Sequence, residues 1–395
     1  MIPQNMVDWG SQGSVIREIA AYGDRRAQEV GAENVFNFTI GSPSVPAPAC
    51  VAESIRRLLE TVPATELHGY TPAPGLEFVR QKLADGLKAS FGVDYGPQDL
   101  YLTSGSSSAL AILCYALLSP GDEILTLTPY FTEYRLYAQA AGATLVEVPS
   151  HPDTFQMELS AVERAITPRT AAMLLNSPNN PSGVILSRES LEQLAALLSE
   201  KARQFGHPIY VIADEPYREL SYGGAEVPFL PAIYPDAIYC YSFSKSLSLP
   251  GERIGYLALH PETTDYGRVR AAVYGAGRAL GYINVSSLFQ RVAADCAGQT
   301  ADLSVYAENR DFIYAALTRM GFSCVRPDGA FYLFLKTPSD DSRFFCQKAM
   351  ERDVLLIPGD EFGCPGYARL AYCVPPETLQ RSLPAFQALA KDFGL

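Results

Sequence analysis

The chain has 395 residues, 48% of them hydrophobic and 19% charged, a balance that fits a folded protein with a large core and excludes a long disordered tract. Thirty-one Lys and Arg stand against 43 Asp and Glu, a formal charge of −12, which argues against nucleic acid as the main partner because a phosphate backbone needs a net basic face. The eight cysteines form no CxxC and the four histidines show no metal-ligand spacing, so free thiols and no metal site are expected.

The opening MIPQNMVDWGSQGS lacks the basic and apolar regions of a signal peptide, and a cytoplasmic setting is expected. From Asp99 the chain alternates strand-like and helix-like segments. Asp99–Leu102 reads as a strand and Ser107–Leu118 as a helix. The apolar run within it, Ala109–Leu118, is too short to cross a bilayer and fits a buried helix. Glu123–Leu127 is a strand, Thr132–Ala141 a helix, and Thr144–Val148 a further strand. Ala171–Leu175 follows without polar alternation. Ser187 is placed to cap a helix in which Leu191, Leu194, Ala195 and Leu198 recur at helical spacing, and Gly206 ends that region. Ile209–Ala213 and Ala237–Tyr241 are strands. The last third reads as helices near Val285–Ala297, Leu303–Met320 and Ser342–Arg352, with strands at Ala330–Leu335 and Arg369–Cys373.

Strands apolar on both faces and separated by helices predict an α/β fold, a mostly parallel sheet covered on both sides. A large domain over 46–285 is expected. A smaller α+β domain would occupy 286–395, packed with an N-terminal segment, 1–45.

Ligands of open parallel sheets bind beyond the carboxyl ends of the strands. The residues that follow the strands are Thr103-Ser104-Gly105-Ser106-Ser107, Pro129-Tyr130, Asn176 to Gly183, Asp214-Glu215-Pro216-Tyr217 and Ser242-Phe243-Ser244-Lys245. A Gly/Ser turn opening a helix offers backbone N–H groups to an anion. A lysine after a buried strand is costly as an ammonium, but a desolvated amine is a good nucleophile toward a carbonyl. No GxGxxG occurs, so a nicotinamide site has little support.

In order along nearly the whole chain stand Ile40-Gly41-Ser42-Pro43, Gly69-Tyr70, Pro74-Gly75-Leu76, Pro129-Tyr130, Asn176 to Gly183, Asp214 to Tyr217, Ser242 to Tyr256, Gly329 to Tyr332, Pro358-Gly359 with Phe362-Gly363, and Arg369-Leu370. This series resembles the fold-type I pyridoxal 5'-phosphate (PLP) aminotransferases of class I/II, the aspartate aminotransferase superfamily. The resemblance implies a large PLP-binding domain, a small domain, and a homodimer with shared active sites. Lys245 would carry PLP as a Schiff base and then shuttle protons. Asp214 would pair with the pyridine nitrogen, Asn180 and Tyr217 would bond the ring O3′, and Tyr130 would stack on the ring. Ser106, Ser107, Ser242 and Arg253 would hold the phosphate, with Tyr70 reaching it from the other subunit. Arg369, Gly41 and Asn180 would take the substrate carboxylate, and Val15 in Ser14-Val15-Ile16-Arg17 would lie near the substrate side chain.

The sequence departs from the family pattern at Ser42-Pro43-Ser44, where many members carry an acidic residue, and at Ser182, where a threonine is usual. No second arginine for a dicarboxylate side chain stands out, and Arg278 is a candidate only by rough position. The expected activity is amino transfer between an L-amino acid, aspartate-type by preference, and a 2-oxo acid such as 2-oxoglutarate. Aromatic donors are an alternative, and so is a C–S β-lyase of the same fold, since fold and site do not fix the fate of the carbanion.

Overall fold

The computed structural model describes residues 2–11 and 15–395. Its strands are β1 (Phe36–Asn37), β2 (Leu100–Thr103), β3 (Glu123–Thr128), β4 (Thr144–Pro149), β5 (Thr170–Asn176), β6 (Tyr210–Asp214), β7 (Ala237–Ser242), β8 (Gly255–Leu259), β9 (Ser323–Cys324), β10 (Tyr332–Lys336), β11 (Val354–Leu355), β12 (Ile357–Pro358) and β13 (Tyr367–Ala371).

A seven-stranded sheet runs β2-β8-β7-β6-β5-β3-β4. All neighbours are parallel except β8, which is antiparallel to both β2 and β7. The sheet is mostly parallel, as expected, but β8 had no strand signal of its own. Its first two residues, Gly255 and Tyr256, close the stretch whose glycines and arginine had drawn attention for their chemistry.

The strands β5, β6 and β7 are almost wholly buried because helices cover both faces. On one face Ile112 and Leu113 of the helix Gly105–Leu117 pack with Val269 and Val273 of the helix Tyr266–Leu280. On the other, Leu191, Leu194 and Leu198 meet Met173 and Val211. Each such side chain withdrawn from water contributes roughly 1.5–3 kcal/mol before the entropy cost of ordering it. The helix Arg188–Phe205 starts as read: the Ser187 Oγ accepts from the Ser190 N–H at 3.1 Å. Gly206 closes it at φ 77°, a conformation natural to glycine.

A second sheet, β12-β13-β10-β9, is antiparallel and puts Arg369 opposite Phe334 and Ile357. The N-terminal segment joins this region through β1, which pairs in parallel with β11 at Phe36–Val354. The helix Ser287–Asp295, which falls on the far side of the expected 285/286 division, packs on the helices Ala49–Thr61 and Glu77–Phe91. Its Val292 and Ala293 share a core with Leu58 and Leu83. No described helix is long and apolar enough to cross a membrane. The eight cysteines are free thiols.

Candidate active site

The carboxyl ends of β5, β6 and β7 lie side by side, with Asn176 in register with Asp214 and Asp214 with Cys240. Adjacent strands are about 4.8 Å apart, so residues remote in sequence meet there. Lys245 follows β7 in the short helical turn Phe243–Ser246, whose cap is Ser242. The Ser242 Oγ accepts from the Ser244 N–H at 3.2 Å and lies 2.7 Å from the Ser244 Oγ.

Lys245, Asp214 and Tyr217 border one cavity of about 250 Å³. The same cavity is bordered by Ser106, Ser107, Ser242 and Arg253. Gly41, Asn180 and Arg369 border it as well. Ten of the residues singled out from the sequence are thus gathered at one place.

Asp214 is buried, and burial pushes its carboxyl up to about 7, the hydrogen bond from Tyr134 working in the opposite sense. Its Oδ2 accepts from the Tyr134 hydroxyl at 2.6 Å, and its Oδ1 has no partner among the described residues. Its main-chain carbonyl accepts from the Asn176 Nδ2 at 2.7 Å, while the Asn176 Oδ1 accepts from the Asn180 N–H at 2.7 Å. Asn176 therefore ties the end of β6 to the turn that presents Asn180.

The Lys245 Nζ donates to the Gly41 carbonyl at 2.6 Å. Burial, with help from Arg253 and Arg369, outweighs the opposing effect of the Cys373 thiol and pushes the ammonium down to about 8. The amine therefore exists neutral at far lower pH than a free lysine.

Arg369 is buried. Its Nη1 donates to the Asn180 Oδ1 at 3.0 Å, its Nη2 donates to the Thr39 carbonyl, and its Nε has no partner among the described residues. Its guanidinium lies over the rings of Tyr332 and Phe362, 4.8 and 4.9 Å from their centroids. The Tyr217 and Tyr332 hydroxyls are 2.9 Å apart. A Cβ on Gly41 would run into the Tyr332 hydroxyl, which is the physical need for glycine there.

Arg253 is held at the rim by the Pro250 carbonyl at 2.9 Å and the Ser104 carbonyl at 3.2 Å. Gly105, at φ 75°, leaves the space its guanidinium fills. Beside it, the helix Gly105–Leu117 opens with Ser106 and Ser107 in its first turn, where backbone N–H groups have no partner within the helix.

Three readings, Tyr130, Val15 and Arg278, are placed differently, and a fourth, Tyr70, is read as acting on the other subunit. Tyr130 does not border this cavity: its hydroxyl donates to the Glu147 Oε1 at 2.8 Å and accepts from the Arg135 Nη2 at 2.8 Å. Phe131, the next residue, borders the cavity in its place. Val15 begins the helix Val15–Val30, and Ile16, about 100° further round, is the side chain that reaches the cavity. Ser14 lies outside the described residues. Tyr70 is 99% exposed and touches nothing in this site. Arg278 borders a separate groove with Arg270 and Tyr274 on the helix Tyr266–Leu280.

The sequence reading gave no role to Tyr134, Phe131, Tyr332, Ser244 or Thr39. Tyr134 carried one usable signal, since it stands three residues after Phe131 at the start of a helix, where such spacing keeps two side chains on one side.

A mostly parallel α/β sheet whose strand ends enclose a lysine of weakened basicity, a buried carboxylate and two guanidinium groups defines an enzyme for small anionic substrates. Residues 33–386 match the family model of aminotransferase class I and II, and the chain belongs to that family. It is 32% identical over 356 residues to the aspartate aminotransferase of Thermotoga maritima, covering 89% of this chain and 90% of that one. It is also 32% identical to the aspartate/prephenate aminotransferase of Thermus thermophilus, covering 88% and 89%. An aminotransferase structure from Eubacterium rectale superposes over the full length of both chains with a TM-score of 0.98 at 46% identity. The aspartate aminotransferase of Thermus thermophilus with maleate superposes at 0.84 with 28% identity, covering 96% and 97%.

Proposed function

We propose that this aminotransferase works with PLP held covalently by Lys245, exchanging the amino group of an aspartate-type donor with a 2-oxo acid such as 2-oxoglutarate. The observation that carries the reading is the unpartnered Oδ1 of Asp214, buried in the same cavity as Lys245 and Arg253. Leaving a buried carboxylate oxygen without a donor costs about 1–3 kcal/mol, a cost that a ring N–H would remove.

The donor set fits the rest of the cofactor. The free N–H groups of Ser106 and Ser107, the hydroxyls of Ser242 and Ser244, and Arg253 suit a phosphate. Asn180 and Tyr217 suit a ring hydroxyl, and Phe131 offers an apolar face in the role first read for Tyr130. When bound, PLP supplies an electron sink for the carbanion formed at the substrate Cα.

The chain's own groups do the rest. Arg369, with a free Nε, and Gly41 would hold the α-carboxylate. Lys245, once released, would take and return the proton at Cα, and an amine with a pKa near 8 is matched to that task near neutral pH. Tyr217, held by Tyr332, would donate to the ring oxygen. Tyr70, fully open to solvent in one chain, supports a homodimer in which it completes the partner's phosphate site. A cytoplasmic location accords with this metabolic role.

Aspartate as donor rests on the relatives named above. A specific observation favours aromatic donors as a second reading: Ile16, Leu110 and Phe131 give the cavity an apolar wall. A relative at 27% identity carries the name aromatic-amino-acid aminotransferase 2, from Thermococcus litoralis.

The test is to titrate purified protein with PLP, follow the visible chromophore, trap it with borohydride and locate the added mass. A panel of amino donors against 2-oxoglutarate then ranks substrates. Protein that stays colourless, or mass fixed away from Lys245, overturns the cofactor reading. A panel led by tyrosine or phenylalanine overturns the aspartate preference.

A further inference from the structure

We infer that Tyr134 is a positioning residue for Asp214, holding one carboxylate oxygen so that the other faces the cavity. The inference rests on the PLP reading above.

The geometry is a one-sided clamp. The Asp214 carboxylate has two oxygens. The Tyr134 hydroxyl donates to Oδ2 at 2.6 Å, and Oδ1 is left unpartnered. The main chain of Asp214 is fixed by β6 pairing on both sides and by the Asn176 amide on its carbonyl. The side-chain torsion is then the freedom that remains, and the hydroxyl restrains it.

Tyr134 can do this because its own ring is buried and packed against two others. It is 1% exposed, its ring lies parallel to that of Tyr130 at 6.3 Å, and it meets Phe131 edge-on at 5.7 Å. Tyr130 is in turn fixed by Glu147 and Arg135. The residue that does not reach the cavity thus braces the one that controls the carboxylate.

The hydroxyl also acts on charge. A hydrogen bond donated to the ionised carboxylate favours that form, while burial disfavours it. The other titratable or charged groups around Asp214 are Glu215 and Tyr217 on its own segment, Cys240 on β7, Tyr137 on the helix Glu133–Ala140, and Lys245, Arg253 and Arg369 on the same cavity. None of these hydrogen-bonds the carboxylate, so among the described residues Tyr134 is the donor that keeps Asp214 anionic toward a cationic ring nitrogen.

The experiment is a double-mutant cycle on PLP binding with Tyr134→Phe, Asp214→Asn and the pair, read as equilibrium affinity by fluorescence and as the pH dependence of that affinity. Tyr134→Phe keeps the ring packing, and circular dichroism with the thermal midpoint checks that each variant is folded. The expected result is about tenfold weaker binding for Tyr134→Phe, as for loss of one hydrogen bond to a charged group. The acid limb of the affinity profile should move to higher pH. In the Asp214→Asn background the Tyr134→Phe change should alter affinity by less than about twofold. If the two losses are independent and multiply, or if the single variant keeps both affinity and acid limb, Tyr134 is only a packing residue and the inference falls. Wild-type protein that binds no PLP overturns the functional reading and this inference together; binding with independent losses overturns this inference alone.

Discussion

At the scale of single residues, Lys245 shows how a costly placement becomes chemistry. Its amine is pushed from 10.5 down to about 8, mainly by burial. A lysine whose folded pKa is depressed binds its proton more weakly folded than unfolded. In the cofactor-free protein it therefore costs stability below pH 8, and stability recovers as pH rises from about 8 to 10.5. Allowing for the part of Lys245 that solvent reaches, the cost at pH 7 is about 2 kcal/mol. Cofactor-free Lys245→Met should be more stable than wild type by that amount in urea at pH 7, with the gap closed by pH 10.5. A gap that stays constant with pH would mean that burial of the charge is not its source. In the presence of PLP, Lys245→Ala should lose at least about a thousandfold in the half-reaction with any donor, since it removes both the covalent anchor and the base. Stopped-flow absorbance reads this, and a coloured, active Lys245→Ala protein would refute the assignment.

At the scale of elements, the strand ends and helix starts carry the site, while the helices behind them carry stability. The helix Arg188–Phe205 tests that separation because it touches none of the cavity. Its cap is one exposed hydrogen bond, Ser187 Oγ to the Ser190 N–H. Ser187→Ala should cost about 1 kcal/mol in urea unfolding and leave kcat/KM unchanged. A fall in activity larger than the fall in stability would tie this helix to the site. β8 is the contrasting element. Gly255 stands where the backbones of β2 and β7 close in, and any Cβ there would strike the Tyr241 carbonyl. Gly255→Ala should therefore destabilise by several kcal/mol, on the order of 3, through backbone that cannot yield, and little folded protein should be recovered. Near-wild-type expression and melting would contradict that packing.

At the scale of the whole molecule, Tyr70 is the expected cofactor-binding residue that stands apart from this chain's own cavity. A tyrosine 99% exposed in one chain has no packing reason to be there. If it completes a second subunit's phosphate site, sedimentation should give twice the chain mass. Tyr70→Phe should then weaken PLP binding about tenfold without lowering the thermal midpoint. A monomer at micromolar concentration, or a Tyr70→Phe protein with unchanged affinity, would remove the shared-site model.

The sequence by itself determined the alternation of buried strands and covering helices, and with it the edge at which polar residues had to collect. Asn180, Asp214, Ser242 and Lys245 were legible because each stands at or just past the carboxyl end of a strand, and that position survives any detail of packing. Direction was not legible. Tyr130 and Phe131 are neighbours, as are Val15 and Ile16, and which of each pair enters the cavity depends on bonds to Arg135 on the next helix and Glu147 on β4, or on the pitch of a helix whose start the sequence left open. The antiparallel β8, the free Oδ1 of Asp214 and the hold of Tyr134 on its twin were decided only by tertiary structure. Hydrogen-bond partners are chosen by three-dimensional distance, and a one-dimensional pattern carries periodicity but not that distance.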